Sequence, residues 1–325
     1  MKRSRSPLPG PEGGSSGRDP RSRRLCDVRS WGFAALERAG IESWAVDADA
    51  LLCHALGLDR VGLVKNRDSL VSGERIGALG GMLQRRRSRE PVAYIVGAKE
   101  FFGLDLYVDS RVLVVRPTTE LLVERALQTL GVAVPKGRAP KPDPRPAPFV
   151  VEVGTGCGAV CVALATYLPS ARFLATDVSH AALIVAKENV SRYDLGGRVL
   201  LAVADLQPAT EPPPDLLIAN LPYISSGEIE LLDPDVRDYE PRLALDGGID
   251  GFELHRRLIA SARLRPGGVL LLEIGCDQGE AVVAAAGARD PALRVEVTAD
   301  LGGLDRIATL SGWQGRDLDG GVRHL

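Results

Sequence analysis

No stretch of the chain approaches the roughly 18 consecutive apolar residues that a membrane helix needs. No apolar signal core follows the first residues either, so neither a spanning nor an exported protein is expected. Excess charge of one sign is also missing. Forty Lys and Arg stand against 42 Asp and Glu, a net charge of −2, which gives no general attraction for nucleic-acid phosphates. Cysteine pairing is missing too. Cys26, Cys53, Cys157, Cys161 and Cys276 are odd in number and form no CxxC. Neither a zinc site nor a disulfide framework is expected, and free thiols fit a reducing cytoplasm. His54, His180, His255 and His324 lie far apart, and no nucleophile with a neighbouring base is visible.

What is present is an ordinary globular composition, 45% apolar and 25% charged over 325 residues, enough for a sizeable core and room for two domains. Residues 1–24 are rich in Pro, Gly, Ser and Arg. They read as a disordered basic tail, because so few apolar groups cannot offset the entropy of ordering. Residues 25–95 read as a small helical domain. In "DVRSWGFAALERAG", Val28, Trp31, Ala35 and Leu36 fall near one face and Gly40 ends the helix. "AVDADALLCHALGL" and "SGERIGALGGMLQRRRSRE" repeat the pattern, and the arginines at 85–87 and 89 read as a solvated helix end. Residues 96–112, two apolar runs around Gly103, read as a β-hairpin. A helix over 118–130 follows, then a Pro-rich insert at 131–148 that reads as a surface loop.

From residue 149 strands and helices alternate: "FVVEVG", "RFLATD", "RVLLAVAD", "DLLIAN" and "GGVLLLEIG" are separated by helical or irregular stretches. "LRVEVT" and "RIATLS" close the chain across a short connection. This pattern predicts an α/β fold, Rossmann-like, with a mostly parallel sheet and an antiparallel edge. Ligands of such sheets bind outside the carboxyl ends of the strands.

Three of those ends carry chemistry. "VVEVGTGCGAV" sets Gly154, Gly156 and Gly158, with Thr155 and Cys157 between them, at a strand-to-helix turn. Such a loop admits a ligand to the backbone and to the helix N-terminus. Read as G-x-G-x-x-A through Ala159, it also fits a dinucleotide fingerprint. Asp177 ends the second strand, where a carboxylate can accept from both ribose hydroxyls. Asp205, followed by Leu206, ends the third, where it could meet an adenine edge. Together the three ends follow one nucleoside across the sheet, which suits S-adenosylmethionine better than NAD.

The fourth strand ends in Asn220-Leu221-Pro222-Tyr223. Pro222 cannot continue a central ladder. A planar nitrogen is a poor nucleophile and must be held in line by acceptors. The Asn220 side-chain oxygen and the Leu221 carbonyl offer two, Pro222 biases Leu221 toward an extended backbone, and Tyr223 offers an apolar wall.

The glycine loop followed by N-x-P-Y resembles class I methyltransferases acting on planar nitrogens. The blocks at 89–127, 239–259, 264–282 and 300–310 ("REPVAYIVGAKEFFGLDLYVDSRVLVVRPTTELLVERAL", "YEPRLALDGGIDGFELHRRLI", "LRPGGVLLLEIGCDQGEAV", "DLGGLDRIATL") resemble the release-factor glutamine methyltransferases, the PrmC/HemK family. The resemblance implies that residues 113–325 form an S-adenosylmethionine-dependent domain and that the helical domain recognises substrate. The implied substrate is the glutamine amide in the Gly-Gly-Gln motif of a peptide chain release factor. Gly154–Gly158 would hold the methionine end of the cofactor, Asp177 the ribose, and Asp205 with Leu206 the adenine. Asn220, Leu221, Pro222 and Tyr223 would hold the glutamine. Arg116, Pro117 and Glu120 match the family's R-P-x-T-E stretch beside the site, where Arg116 and Glu120 would either contact substrate or form a structural ion pair. No metal, no membrane and no direct nucleic-acid contact is expected, and a cytoplasmic location is. Leu221 replaces the family's usual proline, Thr118 replaces a common acid, and "LQPATEPPP" lacks the usual aromatic near the adenine. A ribosomal-protein glutamine methyltransferase, an RNA adenine methyltransferase, which shares N-L-P-Y, and a non-catalytic cofactor-binding assembly factor stay open.

Overall fold

A computed structural model describes residues 21–132 and 147–314. Of the tail expected over 1–24, residues up to 20 lie outside the described residues, as do 133–146 of the insert expected over 131–148, whereas Arg23 and Arg24 are strand-paired and not part of a disordered tail. The chain divides into two compact units: one runs to Gly97 and includes Pro234–Tyr239, and the other comprises Ala98–Asp233 and the chain from Glu240 onward.

The first unit is helical. Strand β1 (Arg23–Arg24) pairs antiparallel with β2 (Leu70–Val71), and between and after them come α1 (Leu25–Glu37), α2 (Trp44–Leu56), α3 (Arg60–Lys65), α4 (Gly73–Arg87) and α5 (Val92–Val96). Apolar residues at helical spacing meet in its core, with Val28, Leu36, Leu51 and Leu83 wholly buried. Asp59 caps α3 by accepting from Gly62 N–H, and Gly57 ends α2 with φ +65°. The run "AYIV" lies in α5, opened by Pro91 and closed by Gly97 in the left-handed region, so this helix extends one residue past the expected end of the helical domain at 95. The arginine cluster also differs from expectation. Arg86 is 4% exposed. It donates to Asp47 at 2.7 Å and to Asp235 at 2.5 Å, in the short helix α9 (Pro234–Arg237) that belongs to this unit.

The second unit begins with a hairpin of β3 (Ala98–Phe101) and β4 (Leu104–Tyr107). Both turn residues, Phe102 and Gly103, have positive φ, the geometry that matches strand twist in a two-residue loop. Where one helix over 118–130 is expected, a 3₁₀ turn at Pro117–Thr119 leads into α6 (Glu120–Thr129). The sheet strands are β5 (Phe149–Val153), β6 (Arg172–Asp177), β7 (Val199–Val203), β8 (Leu216–Asn220), β9 (Val269–Glu273), β10 (Arg294–Ala299) and β11 (Asp305–Ser311). Helices α7 (Ala159–Tyr167), α8 (His180–Arg192), α10 (Glu253–Ser261) and α11 (Gly279–Arg289) alternate with them. The seven strands lie in the order β10-β11-β9-β8-β5-β6-β7. Among the described strands of this sheet β11 alone runs antiparallel to the rest, pairing so with β10 and β9, while the other pairs are parallel. Strands covered on both faces are continuously apolar, and Val150, Val151, Leu217, Ile218, Leu271 and Leu272 are fully buried. Chain order reverses at β5, between β6 and β8, which opens a crevice outside their carboxyl ends. Among the described residues no helix is long and apolar enough to cross a membrane.

Candidate active site

That crevice holds a cavity of about 360 Å³, whose lining includes the glycine loop, Asp177, Asp205, Leu206 and Asn220–Pro222. Gly154, Gly156 and Gly158 all have positive φ, so β5 can turn sharply into α7. Around Gly156 nothing lies within 4 Å of where a Cβ would stand, so this part of the loop faces open space. Asp177 braces the loop: its carboxylate accepts from Gly156 N–H at 2.9 Å and from Ser179 N–H at 2.8 Å. Burial raises this carboxyl against the pull of those bonds. Asp205 accepts from Arg257 at 2.7 Å and is mostly exposed.

Asn220 is the last residue of β8, and its Nδ2 donates to Thr119 Oγ1 at 3.2 Å. Thr119 is 2% exposed and also lines the cavity. Leu221 is buried in the core beneath the glycine loop. The Tyr223 side chain is not part of the lining. Its backbone carbonyl accepts from Gln278 Nε2, and burial, then the nearby Glu273 charge, raises its phenol.

Arg116 and Glu120 are absent from the lining and do not pair with each other. Arg116 donates to the buried Glu240 at 2.9 Å, and Glu120 accepts from Phe102 N–H at 2.9 Å, holding the hairpin turn. Their partners are 124 and 18 residues away in sequence, which is why their proximity in R-P-x-T-E was misleading.

Two acids that sequence reasoning missed lie beside the site. Glu152 lines the cavity and accepts from Thr155 Oγ1 at 2.7 Å and from Cys161 N–H at 3.1 Å. Burial nevertheless pushes its carboxyl up to about 7. Glu273 ends β9, in register with Asn220, and is fully buried. Burial likewise pushes it up to about 7, against Thr119, Arg306 and Arg116, which lower it. The signal was available: "VVEVG" and "LLEIG" each set one charge inside an apolar strand, directly before its final turn.

Comparison with known proteins follows the same lines. Residues 27–97 match the PrmC N-terminal domain. The release factor glutamine methyltransferase of Geobacter sulfurreducens is 39% identical over 79% of this chain and 86% of its own length. That of Moorella thermoacetica is 40% identical over 83% of this chain and 92% of its own length. The chain belongs to the release factor glutamine methyltransferase family. Its sheet is also similar to that of the crystallised hMettl16 catalytic domain in complex with a MAT2A 3'UTR hairpin, at TM-score 0.50 and 14% identity. That likeness covers 76% of this chain and 85% of that chain, and shows the fold alone.

The methyl donor of this family, S-adenosylmethionine, fits the cavity wall. Asp177 and Asp205 offer carboxylate oxygens at adjacent strand ends, where ribose hydroxyls and an adenine amino group need acceptors. Gly156 offers a backbone surface with no side chain in the way. Glu152 adds a buried carboxylate suited to an ammonium group.

Proposed function

We propose that this protein transfers a methyl group from S-adenosylmethionine to the side-chain amide nitrogen of the Gly-Gly-Gln glutamine in a peptide chain release factor. The observation that carries this reading is Asn220 at the cavity wall, bonded through its nitrogen to Thr119, which leaves its carbonyl oxygen as an acceptor. The cofactor supplies an electrophilic sulfonium methyl. The chain supplies position. Gly154, Thr155, Gly156, Cys157 and Gly158 hold the methionine end, Asp177 the ribose, and Asp205 with Leu206 the adenine. Asn220 Oδ1 and the Leu221 carbonyl accept the two amide N–H groups of glutamine, while Pro222 walls the site and Tyr223, outside the cavity lining, restrains the backbone that follows. Each such bond contributes about 1 kcal/mol net, whereas holding the reactants in line contributes about 7–11 kcal/mol. Alignment therefore dominates, and the amide proton can leave after transfer without a strong base. The helical unit, matched to the PrmC N-terminal domain, recognises the factor. A net charge of −2 supports a protein substrate over bare RNA.

The test is methyl transfer from labelled S-adenosylmethionine to a purified release factor, to its Gly-Gly-Ala variant and to bare ribosomal RNA. Label is expected on the wild-type factor alone. Label on RNA alone would replace this reading with adenine methylation, the chemistry that N-L-P-Y shares.

A further inference from the structure

The proposed chemistry needs Asn220 to turn its oxygen, and not its NH₂, toward the substrate amide. The two ends of a side-chain amide are nearly the same shape, so only hydrogen bonding can fix the choice. Asn220 Nδ2 donates to Thr119 Oγ1 at 3.2 Å. The Thr119 hydroxyl has one proton of its own, and its destination decides whether this arrangement or the flipped one is favoured. Glu273 faces it. This residue is the register partner of Asn220 on the neighbouring strand and is fully buried. Among the described residues neither of its carboxylate oxygens completes a hydrogen bond in this arrangement, yet the Thr119 hydroxyl is near enough to lower its pKa. A buried carboxylate left unpaired is costly, so a nearby rotatable hydroxyl is under strong demand.

We propose that Glu273, acting through Thr119, fixes the orientation of the Asn220 amide and is thereby a positioning residue for methyl transfer, an inference that rests on the reading above. An ionised carboxylate can only accept, so it takes the Thr119 proton in a hydrogen bond. Thr119 Oγ1 is then an acceptor toward Asn220 Nδ2, and Asn220 Oδ1 is left for the substrate. A protonated Glu273 is itself a donor. Thr119 can then turn its proton onto Asn220 Oδ1, and the flipped amide would present NH₂ to the NH₂ of glutamine.

The other groups around Glu273 set where this switch falls. Arg306 on β11 and Arg116 before the 3₁₀ turn favour the ionised form. The Tyr223 phenol after β8 feels the Glu273 charge. His255 on α10 places Nε2 2.9 Å from the Glu273 backbone oxygen, and burial holds its imidazole down to about 4, so it carries no charge near neutrality. Burial outweighs the two arginines and puts the carboxyl at about 7.

The test is kcat against pH with saturating S-adenosylmethionine and release factor, beside calorimetric cofactor affinity. Wild-type kcat should rise through one ionisation near 7. Glu273→Gln should lose that step and fall about 100-fold at pH 8, as a misplaced reacting group does, with cofactor affinity unchanged. Thr119→Val should behave like Glu273→Gln, and Thr119→Ser, which restores the hydroxyl, should restore the step. A Glu273→Gln enzyme with wild-type kcat and pH profile would overturn the relay. A second readout needs no substrate: the Asn220 side-chain amide resonance, assigned with Asn220→Ala, should titrate in the wild type and not in Glu273→Gln. Its failure to titrate would overturn the relay even if the variants fold poorly. Absence of methyl transfer by the wild type, with that resonance titrating, would overturn only the function.

Discussion

At Gly154 the backbone has φ +72°, and a Cβ there would stand 3.1 Å from Leu221 Cδ2 and 3.5 Å from the Asn220 carbonyl oxygen. Leu221, in the position where the family usually has proline, thus packs the floor of the glycine loop. Gly156 is different: φ is +54°, but nothing lies within 4 Å. Gly156→Ala should cost only the left-handed backbone penalty, about 1–2 kcal/mol, and should weaken S-adenosylmethionine binding because its methyl enters the open space of the cavity. Gly154→Ala should add an overpacking cost of about 1–3 kcal/mol. Urea unfolding and calorimetry check the pair, and equal stability losses would contradict the contact with Leu221. The glycines, Asp177, Asp205 and Asn220 were legible because each falls where an apolar strand stops. Thr119 was not, because nothing local marks a threonine that will meet a strand end 101 residues later.

Among the elements, the sheet strands were legible for the same reason that they are buried: continuous apolar runs cannot face water. Local breakers limited the reading elsewhere. Pro117 converts the start of the expected helix into a 3₁₀ turn, and Pro91 with Gly97 isolates one short helix from the hairpin. Helix-end arginines usually reach water, whereas Arg86 at the basic end of α4 finds Asp47 and Asp235, 39 and 149 residues away. Burial of a charge is decided by tertiary partners, which a short window does not contain. Arg86→Ala should leave Asp47 and Asp235 without their buried cation and cost about 3–5 kcal/mol. Arg85→Ala removes a pair with Glu90 in which the arginine is 47% exposed, and should cost less than about 1 kcal/mol. Thermal unfolding of the helical unit separates the two, and similar losses would mean that Arg86 is not the anchor of this unit.

Across the molecule, the buried titratable groups set an unusual pH dependence of stability. Burial raises Glu152 and Glu273 from 4.5 to about 7. Each therefore binds its proton more tightly when folded, and its contribution is present at low pH and lost as pH rises through about 7. His255 runs the other way: burial lowers it from 6.5 to about 4, so its contribution is present above 6.5 and lost as pH falls toward 4. Asp109, held down to about 2 first by Arg111, adds a loss only below 3.8. Half-buried Asp177 and buried Glu240 are raised as well, in the same sense as the two glutamates. The carboxyls outnumber the histidine, so stability without cofactor should peak on the acid side of neutrality. At about 1.4 kcal/mol per unit, two carboxyls each give up about two units between pH 5 and 8, and His255 returns about 1.5, leaving a loss of about 3 kcal/mol. Urea midpoints of the sheet-bearing unit at pH 5, 6.5 and 8 measure it. Glu152→Gln and Glu273→Gln should each flatten the fall, since a neutral amide needs no proton to stay buried. Stability that climbs steadily from pH 5 to 8 would mean that neither carboxyl is held protonated by the fold. Glu273 would then be ionised across this range, and the rise of kcat near pH 7 that the Asn220 relay predicts would be absent.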